Sequence, residues 1–432
     1  MNILVIGNGF DLEHDLPTSY RAFLEFCEKV RKIFTYDIVN SNEYYEANLK
    51  NWYMNDTIKN LLLSAFEESS VGEIPQEDGT ISYVVTTSNH LLNELYSHID
   101  NNAWLQYFLN CPSYIGENWI DFESEIAQVI RALDAGRFQV ESGGSANNVE
   151  PNEKRLLIAI RNVSNTTIQD IFKDVRTIDE FTNYLSKELE RLIRALEIYI
   201  AGFVQNIEIS KKSTDIENLN PDFVLSFNYS NTYERVYGNG REIKYNYIHG
   251  KADINKNIKT CNMVLGIDEY LDDDRKDTDL EFLSFKKYFQ RIYKQTENQY
   301  LNWGDKIKKD SAEYNRKLEL AYTGKPDPLR RTPGQNHYYS ISAIHRPKHT
   351  LYIFGHSLDV TDKDVLKLFI CNDNVQTKIF YHRKNEDDKR SLGKLIRNLV
   401  KIIGQEELIR RTGGSTRTIE FLPQSIPESE KP

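Results

Sequence analysis

The first segment that suits chemistry is the turn Gly7-Asn8-Gly9-Phe10-Asp11, which interrupts an apolar run near the start of this 432-residue chain. Glycine permits positive φ and close backbone approach, and a helix that begins at such a turn directs amide groups at an anion. The pattern predicts a diphosphate-binding turn, but it also fits a plain tight turn and lacks the third glycine of the dinucleotide fingerprint. The Asp11 carboxylate predicts either hydrogen bonds from ribose hydroxyls or a helix cap. The side-chain amide of Asn8 can donate to a diphosphate or to a ribose.

Two further segments place an amide and an imidazole at predicted strand ends. In the segment from Ser226 to Ser230, Asn228 predicts either an Asn-mediated turn or an amide that orients a water or a ribose. His249 precedes Gly250 at the end of an aromatic strand. Imidazole titrates near neutrality and suits a general base, although a lone histidine is more often structural.

The fourth segment is a second glycine turn that contains Gly355, His356, Ser357 and Asp359. Gly-x-Ser is part of a nucleophile elbow, but that elbow needs glycine at position 359, so a serine hydrolase is not predicted. The segment predicts a strand-to-helix turn capped by Ser357 or Asp359, or a second loop that contacts a nucleotide.

Other charged side chains give weaker signals. Asp121 and Glu123 lie two residues apart, which on a helix places them on different faces and makes them a poor catalytic pair. One of them can line a cleft while the other is solvated. Lys286, Lys287 and Arg291 have helical spacing and predict a solvated face, with a phosphate clamp as the alternative. HExxH, CxxC and Walker patterns are absent, so no metal site is predicted.

Composition narrows the class of protein. The formal net charge of −10 excludes a general basic field for nucleic acid or an anionic membrane. The four cysteines lack metal-type spacing and predict reduced thiols. No run approaches the ~18 apolar residues of a membrane span, and no secretory signal pattern is present. We therefore expect a cytoplasmic protein without membrane partners.

The elements that must position these residues follow from hydrophobic periodicity. We expect strands at 3–6, at the start of 222–237, in 244–249, at the start of 262–274, at the start of 350–370 and at 377–382. We expect helices in 20–34, 104–108, 118–133, 175–208, 280–325 and 392–404, and a surface loop at 136–155.

Alternation of strands and helices predicts an α/β, Rossmann-like fold: a mainly parallel sheet flanked by helices, with large helical insertions. Ligands of such folds bind at the carboxyl ends of the strands, so all four polar segments are expected at one edge. The predicted nucleotide-binding core is discontinuous and comprises 1–35, 220–270 and 350–420. Residues 36–219 form a predicted mainly helical insertion, 271–349 a charged helical insertion and 423–432 a disordered tail.

Five ordered segments together resemble the AbiH family of bacteriophage abortive-infection proteins. They are VIGNGFDLEHDLPTSYRAF, NWIDFESEI, SFNYSNTYE, IHG and LYIFGHSLDVTDKDVLK, and they span nearly the whole chain. The same motifs resemble, more remotely, the Sir2 (sirtuin) fold. That resemblance implies that the first glycine turn holds the diphosphate of NAD, that Asn228 is the catalytic amide and His249 the base, and that Gly355 with Ser357 contacts the adenosine end.

The chain departs from the sirtuin pattern at three positions. Ser230 stands where an aspartate is usual, and Asn8 and Asp11 stand where small residues are usual. Because no CxxC pair is present, the resemblance does not extend to the structural zinc module or to acetyl-lysine recognition.

The resemblance implies an anti-phage effector that binds NAD or a related nucleotide and hydrolyses the nicotinamide–ribose bond. Two alternatives stay open. One is a non-catalytic sensor of a nucleotide or phage component, which docks a partner through the helices at 175–208 and 280–325. The other is a metal-dependent nuclease toxin that uses Asp11, Asp121, Glu123 and His249. A phage-derived trigger and a homo-oligomer are also open.

Overall fold

The computed structural model describes residues 1–35, 54–67, 69–75, 81–111, 114, 120–141, 178–238, 240–269, 275, 280–330, 335–383 and 388–425. The strands are β1 (Asn2–Ile6), β2 (Ser69–Pro75), β3 (Ile81–Thr87), β4 (Phe223–Ser226), β5 (Lys244–Tyr247), β6 (His349–Phe354), β7 (Val375–Tyr381) and β8 (Ile419–Pro423). The helices are α1 (Asn8–Glu13), α2 (Tyr20–Thr35), α3 (Asp56–Glu67), α4 (His90–Ile99), α5 (Ala103–Leu109), α6 (Phe122–Glu141), α7 (Ile178–Gly202), α8 (Thr214–Glu217), α9 (Thr232–Tyr237), α10 (Lys287–Tyr293), α11 (Tyr300–Thr323), α12 (Lys363–Ile370), α13 (Arg390–Ile403) and α14 (Gln405–Thr412).

The central sheet is parallel throughout and has the strand order β5-β4-β1-β6-β7-β8. The chain therefore starts in the middle, moves outward on one side, and then crosses to the other side at β6. This confirms the predicted Rossmann-like α/β fold. The strand order reverses between β1 and β6, which is where ligands bind in open sheets of this type.

The register of the parallel strands places the first residues of the polar segments side by side at the same edge of the sheet. Ile6, the last residue of β1, pairs with Ser226 of β4 on one side and with Phe354 of β6 on the other. The segments that follow these three strands consequently leave the sheet side by side. The expectation that all of them gather at one edge is confirmed.

Apolar side chains on both faces of the sheet explain why β1 is a continuous hydrophobic run. Ile3 and Val5 belong to one buried layer, which also contains residues of α12 and α13. Leu4 and Ile6 belong to the opposite layer, with Phe10 and residues of α9. Both faces of the strand are thus covered, as the sequence predicts for a parallel sheet.

A third and larger apolar cluster lies among the helices of the first half of the chain. It contains residues of α2, α4, α5, α6 and α7. The residues of α7 from Leu192 to Ile200 are all buried. The C-terminal half of α7 is therefore covered within the protein and offers no surface for the partner docking that the sensor alternative assigns to 175–208.

Three local predictions are wrong. Residues 262–269 form no strand, because their backbone groups bond elsewhere: Val264 N donates to His249 O (2.9 Å), and Leu265 N donates to the side chain of Gln290 (3.0 Å). Helix α6 continues to Glu141, so the predicted loop begins too early, and 142–155 lies outside the described residues. The predicted disordered tail also begins too early, because Gln424 N donates to Tyr381 O (2.9 Å).

Strands β2, β3 and β8 were not predicted from the sequence. The antiparallel hairpin of β2 and β3 lies in a segment whose sequence suggests only helices and loops. Strand β8 adds to the sheet edge beside β7. Within the described residues, no helix is both long enough and apolar enough to cross a membrane.

The two glycine turns touch each other directly above β1 and β6. Gly9 N donates to Gly355 O (2.8 Å), and Gly7 N donates to Phe354 O (3.2 Å). Gly355 has a φ of +66°, and a Cβ there would overlap the amide nitrogen of Phe10. Glycine is thus required at 355 both by its backbone conformation and by the close approach of the neighbouring turn.

Replacing Gly355→Ala is expected to lower the free energy of unfolding by about 2 kcal/mol or more, since left-handed strain and overlap with Phe10 add together. Urea denaturation measures the change. Gly393→Ala is the matched control: Gly393 lies inside α13, where a Cβ meets open space, so a gain of about 0.5–1 kcal/mol is expected. Equal stability of Gly355→Ala and wild type would contradict the proposed contact.

Candidate functional site

A cleft of about 690 Å³ opens at the carboxyl edge of the sheet, above the point where the strand order reverses. This volume is within the range of small-molecule sites. All four polar segments contribute to its wall. The predicted site residues that line it are Gly7, Asn8, Gly9, Asp11, Asn228, His249, Gly355, His356, Ser357 and Asp359. Phe10 and Ser226 lie behind this wall, in the core.

Asp11 is a buried carboxylate in the floor of the cleft, with 1 % of its surface exposed. Its Oδ2 accepts a 2.6 Å hydrogen bond from Ser230 Oγ, which itself accepts one from Thr232 (3.0 Å). Its Oδ1 is buried and has no hydrogen-bond partner among the described residues. Asp11 lies within α1 and does not cap it, so the cap interpretation is wrong.

Burial raises the pKa of Asp11 to about 6, because desolvation of the carboxylate outweighs the hydrogen bond from Ser230. A buried acceptor without a donor is costly. The orphaned Oδ1 therefore favours a donor supplied by a ligand in the cleft.

Asn228 connects the turn after β4 to the turn after β1. Its Nδ2 donates to Gly7 O (2.9 Å), and its backbone N–H donates to Ser226 Oγ (3.1 Å). The side chain is 5 % exposed and lines the cleft. No described residue donates to Asn228 Oδ1, so this oxygen is the atom left for a ligand or water.

Asp362 lies between two histidines. Its Oδ1 is 3.3 Å from His249 Nε2, and its Oδ2 is 3.4 Å from His356 Nε2. His356 Nδ1 accepts a hydrogen bond from Leu358 N (2.9 Å), so the proton of His356 resides on Nε2 and points at Asp362. One carboxylate thereby fixes the orientation of both rings.

Lys287 supplies the positive charge that this carboxylate needs. Its Nζ is 2.7 Å from Glu123 Oε2, 3.5 Å from Asp362 Oδ1 and 3.2 Å from Thr361 Oγ1. Lys286 and Lys287 are 1 % and 6 % exposed. The prediction of a solvated face for these lysines is therefore wrong, because each is buried against carboxylates.

The pKa values in this cluster follow from burial and charge. Burial lowers the pKa of His249, and the nearby Lys287 lowers it further. Burial would raise the pKa of Asp362, but Lys287 and the two histidines outweigh it and hold that pKa well below its usual range. Burial raises the pKa of Glu123 to about 7, against the opposing effect of Lys287. At neutral pH, His249 is thus neutral beside an ionised Asp362.

Two acidic residues at the cleft act on the backbone. Asp121 Oδ1 accepts from Glu123 N (3.0 Å) at the start of α6. Asp359 Oδ1 accepts from Thr361 N (3.0 Å), so the predicted cap at Asp359 is confirmed. Among the described residues, no group of three or more His, Cys, Asp or Glu side chains is arranged to hold a metal ion.

The comparison with known families follows this geometry. The family described as bacteriophage abortive infection AbiH matches residues 3–382. This chain belongs to the AbiH family. No curated protein and no solved structure gave a significant match. AbiH membership gives the chain a role in abortive infection by phage, and the match covers every strand of the sheet except β8.

Sequence reasoning missed several residues of this AbiH site. Asp362 stands inside a segment that carried the resemblance, but nothing in its spacing points to two distant histidines. Lys287 carries no local sign of burial. The cleft also has a rim from α13, formed by Ser391, Lys394, Arg397 and Asn398, and the basic composition of that helix was an available signal.

Asp11→Asn is expected to stabilise the protein at pH 7.5. The raised pKa means that the folded state binds this proton more tightly than the unfolded chain, so the stabilisation is present below about pH 4 and is lost as the pH rises through about 6. Asparagine removes this loss, which amounts to about 3 kcal/mol at neutral pH.

Urea denaturation at pH 7.5 and pH 4.5 measures the effect, and the gain should shrink at the lower pH. Asp15→Asn is the control, because that side chain is 75 % exposed and should change stability by less than about 0.5 kcal/mol. A loss of stability on Asp11→Asn at pH 7.5 would show that the carboxylate is favourably held.

Proposed function

We propose that this AbiH protein binds NAD, or a closely related nucleotide, in the cleft and hydrolyses the bond between nicotinamide and ribose. Loss of NAD would stop growth of the infected cell, which is an abortive outcome. The observation that carries the proposal is that Asn228, His249 and Asp11, whose Oδ1 has no hydrogen-bond partner among the described residues, line one cleft. This cleft lies above the point where the strand order reverses. Together these side chains supply an acceptor for water, a neutral base and a poorly solvated carboxylate.

Asp11 supplies the electrostatic requirement of this reaction. Cleavage of a glycosidic bond passes through an oxocarbenium-like state, in which positive charge develops on the ribose. An ionised carboxylate that is shielded from water stabilises such charge more strongly than a solvated one. Before the bond breaks, Asp11 Oδ1 accepts a hydrogen bond from a ribose hydroxyl.

His249 supplies the base. Because Asp362 is ionised and faces Nε2, the imidazole proton resides on Nε2 and Nδ1 keeps its lone pair. No described residue hydrogen-bonds to Nδ1. A water positioned by Asn228 Oδ1 attacks the ribose carbon, the glycosidic electron pair leaves with the nicotinamide nitrogen, and the water proton passes to Nδ1. Asp362 acts through His249 and is a positioning residue.

The departures from the sirtuin pattern complement each other in space. Ser230 replaces the usual aspartate, and Asp11 replaces a small residue, yet the two side chains share a 2.6 Å hydrogen bond. The carboxylate is thus retained near Asn228, but it is supplied by α1. This arrangement supports a site of related chemistry with a rearranged acid.

The sensor alternative has one observation in its favour. Ile292, Tyr293, Tyr322 and Leu329 are each 72–77 % exposed, and they lie within or just after the predicted docking segment 280–325. The nuclease alternative has less support, because Asp11, Asp121, Glu123 and His249 do not form a metal-holding group in the described part of the chain.

Purified protein incubated with NAD is expected to release nicotinamide, with and without lysate of phage-infected cells as a source of trigger. His249→Ala should reduce the rate by about 10²–10⁴-fold, whereas His345→Ala, at an exposed residue that does not line the cleft, should not. The wild-type rate should fall as the pH drops through about 6, because Asp11 becomes protonated. If wild-type protein releases no nicotinamide under either condition, the proposed hydrolysis is wrong and the sensor alternative is favoured.

Asp362→Asn tests the positioning role. The neutral amide no longer selects the tautomer of His249, so kcat should fall by about 10²-fold or more, while KM changes little because no substrate contact is lost. Asp364→Asn is the control, since that carboxylate pairs with Arg291 at the surface. A change confined to KM, or a general loss of folding, would argue against the assigned role.

A further inference from the structure

Helix α13 is basic in an acidic protein. It carries Arg390, Lys394, Arg397 and Lys401 and contains no acidic residue, whereas the whole chain has a formal charge of −10. Its apolar residues Leu395, Leu399 and Ile402 are buried in the layer that covers one face of the sheet. The four cations therefore occupy its remaining, outward surface.

Two of these cations line the cleft and two do not. Lys394 and Arg397 belong to the cleft wall, whereas Arg390 and Lys401 lie outside it. A hydrogen bond from Asn398 Nδ2 to Ser357 O (2.9 Å) fixes the helix to the second glycine turn. We call Lys394 and Arg397 the cationic rim. The hydrogen bond to Ser357 holds this rim beside the point where the strand order reverses.

Among the described residues that line the cleft, Lys394 and Arg397 are the lysine and arginine without an ion-pair partner. Of the lysines and arginines that line the cleft, Lys287 is paired with Glu123 and Asp362. No carboxylate in the described ranges lies within ion-pair distance of Lys394 or Arg397. An anionic ligand group would be repelled by the acidic floor and attracted to this rim.

The first glycine turn is less available for an anion than its sequence suggests. Gly9 N donates to Gly355 O and Phe10 N donates to Gly7 O (both 2.8 Å). Both amides are therefore committed to protein carbonyls. The glycines at 7 and 9 leave room for the second turn, since a Cβ on either would overlap its backbone.

We infer that Lys394 and Arg397 bind the diphosphate of a dinucleotide or nucleoside diphosphate, whose ribose then reaches the acidic floor at Asp11. The inference rests on the proposed function for the nature of the ligand. It assigns the diphosphate to α13 and leaves the glycine turns as the structural frame. Guanidinium and ammonium groups are well suited to phosphate oxygens.

Binding of ADP-ribose to the protein, measured by calorimetry, tests the inference without requiring turnover. The double variant Lys394→Ala/Arg397→Ala should weaken binding by about tenfold or more, while Arg390→Ala/Lys401→Ala, with the same charge change on the same helix, should not. Adenosine, which lacks phosphate, should bind equally to all three proteins. Wild-type affinity for ADP-ribose should fall with added salt.

Three outcomes would overturn the inference: no binding of ADP-ribose to wild type, unchanged binding to the rim variant, or equal loss in both double variants. Equal loss together with binding of a single-stranded oligonucleotide would assign α13 to polynucleotides. The experiment separates the two proposals. Binding of ADP-ribose that depends on the cationic rim, without turnover of NAD, would contradict the proposed hydrolysis and support the role of the rim. Turnover of NAD with an unchanged KM in the rim variant would support the hydrolysis and contradict the role of the rim.

Discussion

The contact between the two glycine turns is the constraint on which the site depends. Strands β1 and β6 end at the same level, and their turns must pass within hydrogen-bond distance of each other. Any side chain at Gly355 would push the turns apart. That separation would move Asp11 on one side and His356 on the other, so the geometry of the cleft is set by backbone packing before any charged group is considered.

Electrostatics then organise the interior around one buried lysine. Lys287 allows Asp362 to remain ionised, and the ionised Asp362 orients both histidines. Asp11 lies in the same cleft, but its carboxylate accepts a hydrogen bond from the Ser230 hydroxyl and forms no ion pair within the described residues. Two buried carboxylates are thereby given opposite properties: one is held ionised, and the other has a raised pKa and an unpaired oxygen.

The sequence was sufficient for the parts of the fold that local pattern controls. The apolar run of β1, the glycine turns and the order of strand and helix at 222–237 and 350–370 predicted the parallel sheet and the shared edge. Residue types at strand ends also predicted Asn228 and His249 as cleft residues. The domain boundaries and the assigned roles of these residues stay predictions.

What could not be predicted depends on contacts between distant segments. Helical spacing made Lys287 look like a surface residue, because nothing nearby in sequence reveals the carboxylates that bury it. Residues 262–269 have the composition of a strand, yet the side chain of Gln290 and the carbonyl of His249 satisfy their backbone. Ser230 and Asp11 each depart from the sirtuin pattern and are 219 positions apart in the sequence. Only the folded structure shows that their side chains are hydrogen-bonded to each other.

The cluster of Glu123, Lys287 and Asp362 also has a consequence for synthesis of the protein. Its members come from widely separated parts of the chain, so a nascent polypeptide that already carries the first glycine turn and Glu123 still lacks the lysine and the aspartate that orient His249. A fragment that ends before Lys287 therefore lacks the two groups that fix the orientation of His249. The geometry of this cluster is therefore completed only after Asp362 has been added to the chain.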